Sequence, residues 1–234
     1  MFGRNAYINL IARITDAGLS PSTNWAGELG ENDFFLRHDV DFSVSATLSI
    51  AKIEHSLGLQ STFFFLLSSN LYNLLSKTNS DQVREIRDLG HKISLHWDST
   101  AHRDEQAFLT EKQAFEEVFE VTIDIVSAHR LAEFLRDNDR IRDNDRNLFG
   151  VPHTYQNRFF KEISYISDSA GTPVQTKVEH YLDSRNQNGL QLLLHPIWWI
   201  NETDSPTTTL NHWLLENTDF VRNQIRANCK AYNS

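Results

Sequence analysis

The sequence has almost no cysteine and no long apolar run. Cys229 is the one cysteine among 234 residues, which excludes a disulfide framework and a metal cluster held by thiolates. No apolar run approaches the roughly 20 residues that a membrane-spanning helix needs. The N-terminal residues lack the apolar segment and small-residue cleavage site of a secretory signal, so we expect a cytoplasmic protein with no membrane span.

Positive charge is also scarce. The sequence holds 22 Lys and Arg against 31 Asp and Glu, which gives a formal net charge of -9. Because phosphate contacts need a basic face, we expect no nucleic-acid partner. No Gly-rich phosphate loop such as GxGxxG follows any predicted strand, which counts against the nucleotide-binding folds that use one.

Apolar residues, by contrast, are plentiful and regularly arranged. They make up 40% of the 234 residues, enough for one domain, residues 1–234, with a full core. Bulky apolar runs typical of buried strands alternate with segments of helical periodicity. The predicted strands are residues 34–41, 61–67, 91–97, 121–129, 163–168 and 190–195. The predicted helices are residues 5–18, 43–57, 80–89, 103–120 and 207–231, and residues 155–163 form a helix or a loop. Repeated strand–helix units predict an α/β fold with a parallel sheet, either a barrel or an open doubly wound sheet.

Ionisable residues end most of these predicted strands. Asp39 and Asp41 lie one residue apart at the end of the first, so both project to the same side. The others are His96, His129 with Arg130, Asp168 and His195. Because the carboxyl ends of parallel strands meet at one edge, we expect these groups to converge. Carboxylate and imidazole ligands suit a divalent metal such as Zn²⁺.

Six other histidines are predicted to be surface residues or residues with structural partners. They are His38, His55, His91, His153, His180 and His212. The two acid–base repeats within residues 136–146 are predicted to form a solvated loop.

Six segments resemble the motifs of the polysaccharide deacetylase superfamily (carbohydrate esterase family 4), in order along the chain. Residues 36–41 (LRHDVD) look like its first motif, in the R-H-D-V-D branch, and residues 57–65 resemble its "LGxxATFF" strand. Residues 90–96 (GHKISLH) match its "GHEIGxH" segment. Residues 126–130, 165–169 and 193–199 look like the later motifs. The resemblance covers roughly residues 34–200, and the ordered set is specific although each motif alone is weak.

This resemblance implies a distorted (β/α)7 barrel that removes an N-acetyl group from a sugar with the help of a metal. Transferred residue by residue, Asp39 would be the general base and Asp41 and His96 would be metal ligands. Arg130 would orient the Asp39 carboxylate. His195 would be the general acid for the departing amine.

The third metal ligand is an open question in the sequence. Most of the superfamily has an H-x3-H pair, but Thr100 occupies the second position here. His102 and His129 are the two candidates, with Asp98 a weaker one. We favour His129, because a strand end is held more rigidly than a loop.

Several aromatic residues lie beside these strand ends. Trp97, Trp198 and Trp199 could form a stacking wall for a sugar ring, although single tryptophans more often belong to the core. Asp168 is also a candidate for contacting substrate.

The leading hypothesis is a metal-dependent deacetylase acting on an N-acetylated sugar that is a precursor of a surface polysaccharide. The missing H-x3-H pair and Leu131, where the family commonly has proline, favour an alternative. In this alternative the chain is a degenerate deacetylase-like domain that binds a glycan or a protein without catalysis. A third hypothesis is hydrolysis of another amide on the same scaffold.

Overall fold

The computed structural model describes residues 2–30, 32–98, 100, 104–130, 146–184 and 189–232. Its helices are α1 (Arg4–Asp16), α2 (Val44–Ser56), α3 (Lys77–Asp88), α4 (Glu105–Phe119), α5 (Asn157–Phe160), α6 (Gln175–Ser184) and α7 (Pro206–Asn228). Its strands are β1 (Ser20–Pro21), β2 (Asp33–Val40), β3 (Thr62–Phe65), β4 (Lys92–Asp98), β5 (Ser127–His129), β6 (Ser164–Ser167) and β7 (Leu190–Leu194). No helix among these residues is both long and apolar enough to cross a bilayer.

The strands form one parallel sheet whose order follows the chain around a circle. The hydrogen-bonded order is β5-β4-β3-β2-β7-β6, with β1 pairing beside β2. This is the strand order of a barrel in which successive strands pair. In the described residues no pairing between β5 and β6 closes the barrel. This half-barrel with surrounding helices confirms the predicted α/β fold, and it is consistent with the deacetylase-type barrel.

The open side of the half-barrel is partly lined by the chain that precedes α5. Val126 forms a parallel bridge with His153, and its carbonyl accepts a hydrogen bond from the Thr154 backbone N–H. Gln191 on β7 donates to the Thr154 carbonyl at 3.1 Å. Tyr155 is thereby brought to the inner face of the sheet, within hydrogen-bond distance of Arg37.

Local signals explain where the elements begin and end. Ser43 caps α2, because its side chain accepts a hydrogen bond from the Ala46 backbone N–H at 3.2 Å. Helix α6 was not predicted, and its one buried residue, Val178, gives almost no apolar periodicity. Strand β5 is much shorter than the predicted 121–129. The predicted loop at 136–146 lies outside the described residues except for Arg146.

The two faces of the sheet have different interiors. The main apolar core lies between the outer face and the helices, and it includes Phe63 and Leu192. A small aromatic cluster fills the base of the inner face, where Trp25 stacks on Phe35 with ring centroids 4.0 Å apart. Above it, polar residues replace apolar ones toward the carboxyl edge of the strands.

Candidate active site

Strand β2 carries Arg37 and Asp39 on the same inner face, and the two side chains form a buried ion pair. Arg37 Nε and Nη2 donate to the two Asp39 carboxylate oxygens at 2.9 and 2.6 Å. The Ser127 hydroxyl on β5 also donates to Asp39, at 3.0 Å. Burial raises the pKa of Asp39, but the Arg37 charge outweighs burial and brings the pKa to about 2. Asp39 is therefore an ionised, fixed carboxylate.

Arg37 is itself held on every side. Its guanidinium lies within hydrogen-bond distance of Gln191 Oε1 at 3.1 Å, the Ser127 hydroxyl at 2.6 Å and the Tyr155 hydroxyl at 2.9 Å. It also lies over the Tyr155 ring, 4.5 Å from the centroid. This planar group has little freedom to move, so it fixes the orientation of Asp39 as well as its charge.

Asp41, His96 and His129 converge just beyond this ion pair. Asp41 Oδ1 lies 3.3 Å from His96 Nε2 and 3.4 Å from His129 Nδ1, and the two ring nitrogens are 3.1 Å apart. The three atoms form a nearly equilateral triangle, and they are a possible metal site. Nitrogen and oxygen ligands of a tetrahedral Zn²⁺ stand roughly 3.4 Å apart, given bonds of about 2.0–2.2 Å. The spacing therefore fits such an ion.

Hydrogen bonding leaves His96 and Asp41 with lone pairs available in this triangle. His96 Nδ1 lies 3.1 Å from the Ser127 carbonyl, which can only accept, so Nδ1 carries the proton and Nε2 of the neutral ring has a lone pair. Asp41 Oδ1 is buried and has no hydrogen-bond partner in the described structure. Buried acceptors facing one another without a donor need a cation or a shared proton between them. The donor set thus fits a divalent metal.

The protonation of Asp41 and His129 reflects their closeness. Burial alone would raise the pKa of Asp41, but the contacts with His129 and His96 lower it well below its usual range. Burial lowers the pKa of His129, and the neighbouring Asp41 carboxylate more than compensates, so the pKa rises. Without a cation, the site attracts a proton. A metal would have to displace it, so metal affinity should fall as the pH falls.

His195 follows β7 directly and lies beside the triangle. Its Nδ1 lies 2.6 Å from Asp168 Oδ1, and its backbone N–H also donates to the Asp168 carboxylate at 3.0 Å. Trp199 Nε1 donates to Asp168 Oδ2 at 2.7 Å. Burial lowers the pKa of His195, but the Asp168 carboxylate and the nearby Asp41 raise it to about 9. The imidazole is therefore protonated at neutral pH, with Nε2 3.7 Å from Asp41 Oδ2.

The structure brings together five of the residues predicted from strand ends. We call them the inner cluster: Asp39, Asp41, His96, His129 and His195. Of the two candidates for the third ligand, His129 lies in the triangle, whereas His102 lies outside the described residues and its role stays a prediction. Asp98 accepts from the Thr100 backbone N–H and hydroxyl and is not in the triangle.

In the described structure Arg130 does not make the predicted contact with the Asp39 carboxylate. Its side chain is exposed and follows a left-handed backbone conformation with φ of 52°. Both Asp39 oxygens are instead bonded by Arg37, which lies two residues earlier on the same strand face. The alternation that paired Asp39 with Asp41 extends to Arg37, so that signal was present in the sequence.

The structure places Trp97, Trp198 and Asp168, the predicted substrate contacts, in buried positions. Trp97 is fully buried and its ring packs edge-on against Phe108. Trp198 is 5% exposed and packs against Phe2 and Phe42. Asp168 is fully buried and serves as the partner of His195. Their role as substrate contacts stays a prediction.

Comparison with known proteins gives matches to solved structures alone. No protein-family model matches the chain, and a search of curated proteins finds no match. A family 4 carbohydrate esterase from Streptomyces lividans, solved with acetate, is 16% identical, covering 77% of this chain and 83% of its own, with a TM-score of 0.44. The chitin deacetylase of the fungal pathogen Colletotrichum lindemuthianum is 15% identical, covering 79% and 81%, with a TM-score of 0.42.

A third match is to a protein that has lost and regained activity. It is a mutant, with restored enzymatic activity, of a carbohydrate esterase family 4 pseudoenzyme from Bacillus anthracis. It is 12% identical to this chain, with a TM-score of 0.45, and the match covers 80% of this chain and 62% of the mutant's. This chain therefore spans less than two thirds of that protein. At such identities and TM-scores, the chemistry of the site has to be argued from its own residues.

Proposed function

We propose that this chain is a metal-dependent hydrolase that removes the N-acetyl group from a sugar. One observation carries the proposal: three possible ligand atoms with the spacing of metal ligands lie beside an ionised carboxylate and a protonated imidazole. Asp41, His96 and His129 would hold the metal, with Asp39 and His195 beside them. A bound divalent cation such as Zn²⁺ would polarise the acetyl carbonyl and lower the pKa of a water molecule.

The two flanking groups divide the proton transfers between them. Asp39 Oδ2 lies 3.7 Å from His96 Nε2, so it borders the metal site, and it is ionised at any physiological pH. It would take a proton as the water oxygen bonds to the acetyl carbon. His195 would donate the proton on Nε2 to the sugar nitrogen as the C–N bond breaks. Water and amide thus become acetate and amine, with His195 and Asp39 returning to their starting states by exchange with solvent.

The supporting residues set these roles before the substrate arrives. Arg37 keeps Asp39 ionised and pointed at the site. Asp168 fixes the His195 tautomer that places a proton on Nδ1, and it stabilises the imidazolium form that also carries one on Nε2. The substrate part of the proposal comes from the sequence: an N-acetylated sugar, as a cytoplasmic precursor of a surface polysaccharide.

Acetate release tests the proposal directly. Purified protein with added Zn²⁺ would be assayed on free N-acetylglucosamine, a nucleotide-linked N-acetylhexosamine and a chitooligosaccharide. We expect turnover of at least one substrate by the wild type, its loss in Asp39→Asn and His195→Ala, and its retention in Arg130→Ala. If the wild type binds metal but releases no acetate from any of them, the deacetylase proposal fails and the non-catalytic alternative stands. Release from a non-sugar amide would instead support the third hypothesis.

A further inference from the structure

A second group of polar and ionisable residues lies on the opposite, outer face of β2. We call it the outer cluster: Tyr7, His38, Glu54, Ser61 and His91, all of them buried. The Glu54 carboxylate accepts from Ser61 Oγ at 2.6 Å and from the Tyr7 hydroxyl, and it lies 2.8 Å from His38 Nε2. Burial raises the pKa of Glu54, but His38 outweighs burial and lowers it. An ionised carboxylate is thus kept inside the protein core.

His38 links this carboxylate to the strand that carries His195. Its Nδ1 lies 3.1 Å from the backbone carbonyl of Leu194, its register partner on β7. The Glu54 carboxylate and the Leu194 carbonyl are both hydrogen-bond acceptors. Each of the two His38 ring nitrogens therefore faces a group to which an N–H can donate. Leu194 is the last residue of β7, and His195 follows it directly. The His38 ring therefore fixes the backbone at the point where His195 leaves the sheet.

A second route connects the outer cluster to His195. The Tyr7 ring packs edge-on against Trp199, with centroids 5.6 Å apart. Trp199 Nε1 donates to Asp168, and Asp168 holds the His195 ring. The backbone before His195 and the carboxylate beside it are thus both held by groups that contact the outer cluster.

Packing alone does not account for a buried charge at this place. Desolvating a carboxylate is unfavourable, and apolar residues of similar volume often stabilise a core equally well. The cluster does supply directional contacts that an apolar core cannot. We propose that His38 and Glu54 are positioning residues that hold His195 in its donor geometry through the Leu194 carbonyl. This inference rests on the proposed function, in which His195 is the general acid.

Two substitutions at one position separate positioning from stability. In His38→Asn the amide nitrogen stands near the place of Nδ1 and can still donate to Leu194. In His38→Gln it stands near the place of Nε2 and can donate only to Glu54. Ser61→Ala is the control, because it removes a hydrogen bond to the same carboxylate on the side away from β7. Far-UV circular dichroism, chemical denaturation and metal content would be measured for all three.

We expect His38→Gln to lower kcat by roughly 10- to 100-fold, as for a misplaced catalytic group, with KM within about twofold of the wild type. His38→Asn should keep a kcat at least about fivefold above that of His38→Gln, at a similar free energy of unfolding. Ser61→Ala should be less stable with kcat unchanged. Equal kcat in the two His38 variants, or a kcat that tracks stability across the series, would overturn the inference. If His38→Gln does not fold, Glu54→Gln replaces it, and an unchanged kcat there has the same meaning.

A spectroscopic signal keeps this test separate from the proposed function. The Nδ1–H proton of His195, bonded to Asp168, should give a far-downfield NMR resonance in the wild type. It should shift or broaden in His38→Gln and stay in place in Ser61→Ala. If no acetate is released but this pattern is seen, the deacetylase proposal fails while the positioning by His38 stands. A resonance that is the same in every variant would refute the positioning whatever the activity.

Discussion

The two faces of β2 each carry a buried charged cluster, and the clusters differ in completeness. In the outer cluster both Glu54 oxygens are bonded, and none of its side-chain nitrogens and oxygens lacks a partner. In the inner cluster Asp41 Oδ1 has no hydrogen-bond partner within the described residues and faces two imidazole nitrogens. A buried network in which every polar atom is bonded is explained by the fold alone. A buried polar atom without a partner indicates a bound group, such as a cation, that the polypeptide does not supply.

The two clusters also differ in the solvent exposure of their side chains. The side chains of Asp41 and His129 are 19% and 17% exposed, whereas those of His38 and Glu54 are fully buried. An ion and a substrate can therefore reach the inner cluster. The outer cluster can act only through its neighbours.

The substitution Asp41→Asn should have the largest effect, because it removes the one charge in the metal triangle. We expect metal affinity to fall by more than about 100-fold, beyond the usual range for residues that only support a ligand, with turnover abolished. Isothermal titration with Zn²⁺ and an acetate assay measure both. Asp98→Asn is the matched control at the end of β4. If it weakened metal binding as much as Asp41→Asn, the assignment of the triangle would be incorrect.

The substitution Arg37→Lys should come next. A lysine cannot bond both Asp39 oxygens, so we expect kcat to fall roughly 100-fold through misorientation of the base. The buried contacts to Gln191 and Tyr155 would also be lost, which should lower the free energy of unfolding. Arg130→Lys serves as the control, since that side chain is exposed, and it should change neither quantity. The reverse outcome would restore the role that the sequence assigned to Arg130.

The substitution Asp168→Asn should act through the protonation of His195. Because the activity needs protonated His195, the wild-type rate should fall as the pH rises through about 9. Loss of the Asp168 charge lowers the pKa of His195, so this alkaline fall should move to lower pH in the variant. A pH profile of kcat measures it, and an unmoved alkaline limb would contradict the pairing.

The same pair also predicts a pH dependence of stability in chelator-treated protein. The pKa of His195 is raised to about 9 in the folded state, from about 6.5 in the unfolded chain. Its contribution to stability is therefore complete below pH of about 6.5 and lost as the pH rises through about 9. Denaturant midpoints of wild type and Asp168→Asn should differ most below pH of about 6.5, within the range where the carboxylates stay ionised. The two midpoints should approach each other as the pH rises through about 9.

The substitution Tyr155→Phe should have the smallest effect. It removes one hydrogen bond to Arg37 but leaves the ring beneath the guanidinium and both bonds to Asp39. We expect a loss of about 0.5–1.5 kcal/mol in the free energy of unfolding and a kcat within a few-fold of the wild type. A loss of activity comparable to that of Arg37→Lys would show that the hydroxyl has a direct role.

Strand-end logic accounts for most of what the sequence predicted correctly. Period-2 alternation and apolar runs located the parallel strands, and the shared edge of those strands brought Asp39, Asp41, His96, His129 and His195 together. The failures have physical causes as well. Arg130 was assigned from its place in a motif, and the pairing of Arg37 with Asp39, two residues apart on one strand face, was overlooked. The burial of Trp97 and Trp198 depends on packing partners far away in sequence.

The most direct test of the account is the metal content of protein purified without chelator and supplied with Zn²⁺. Wild type, His96→Ala, His129→Ala and His102→Ala would be compared by elemental analysis after dialysis. We expect about one equivalent in the wild type and in His102→Ala, and loss of the metal in His96→Ala and His129→Ala. Absence of metal from the wild type, or its retention in His129→Ala, would contradict the assignment of Asp41, His96 and His129 as a metal centre.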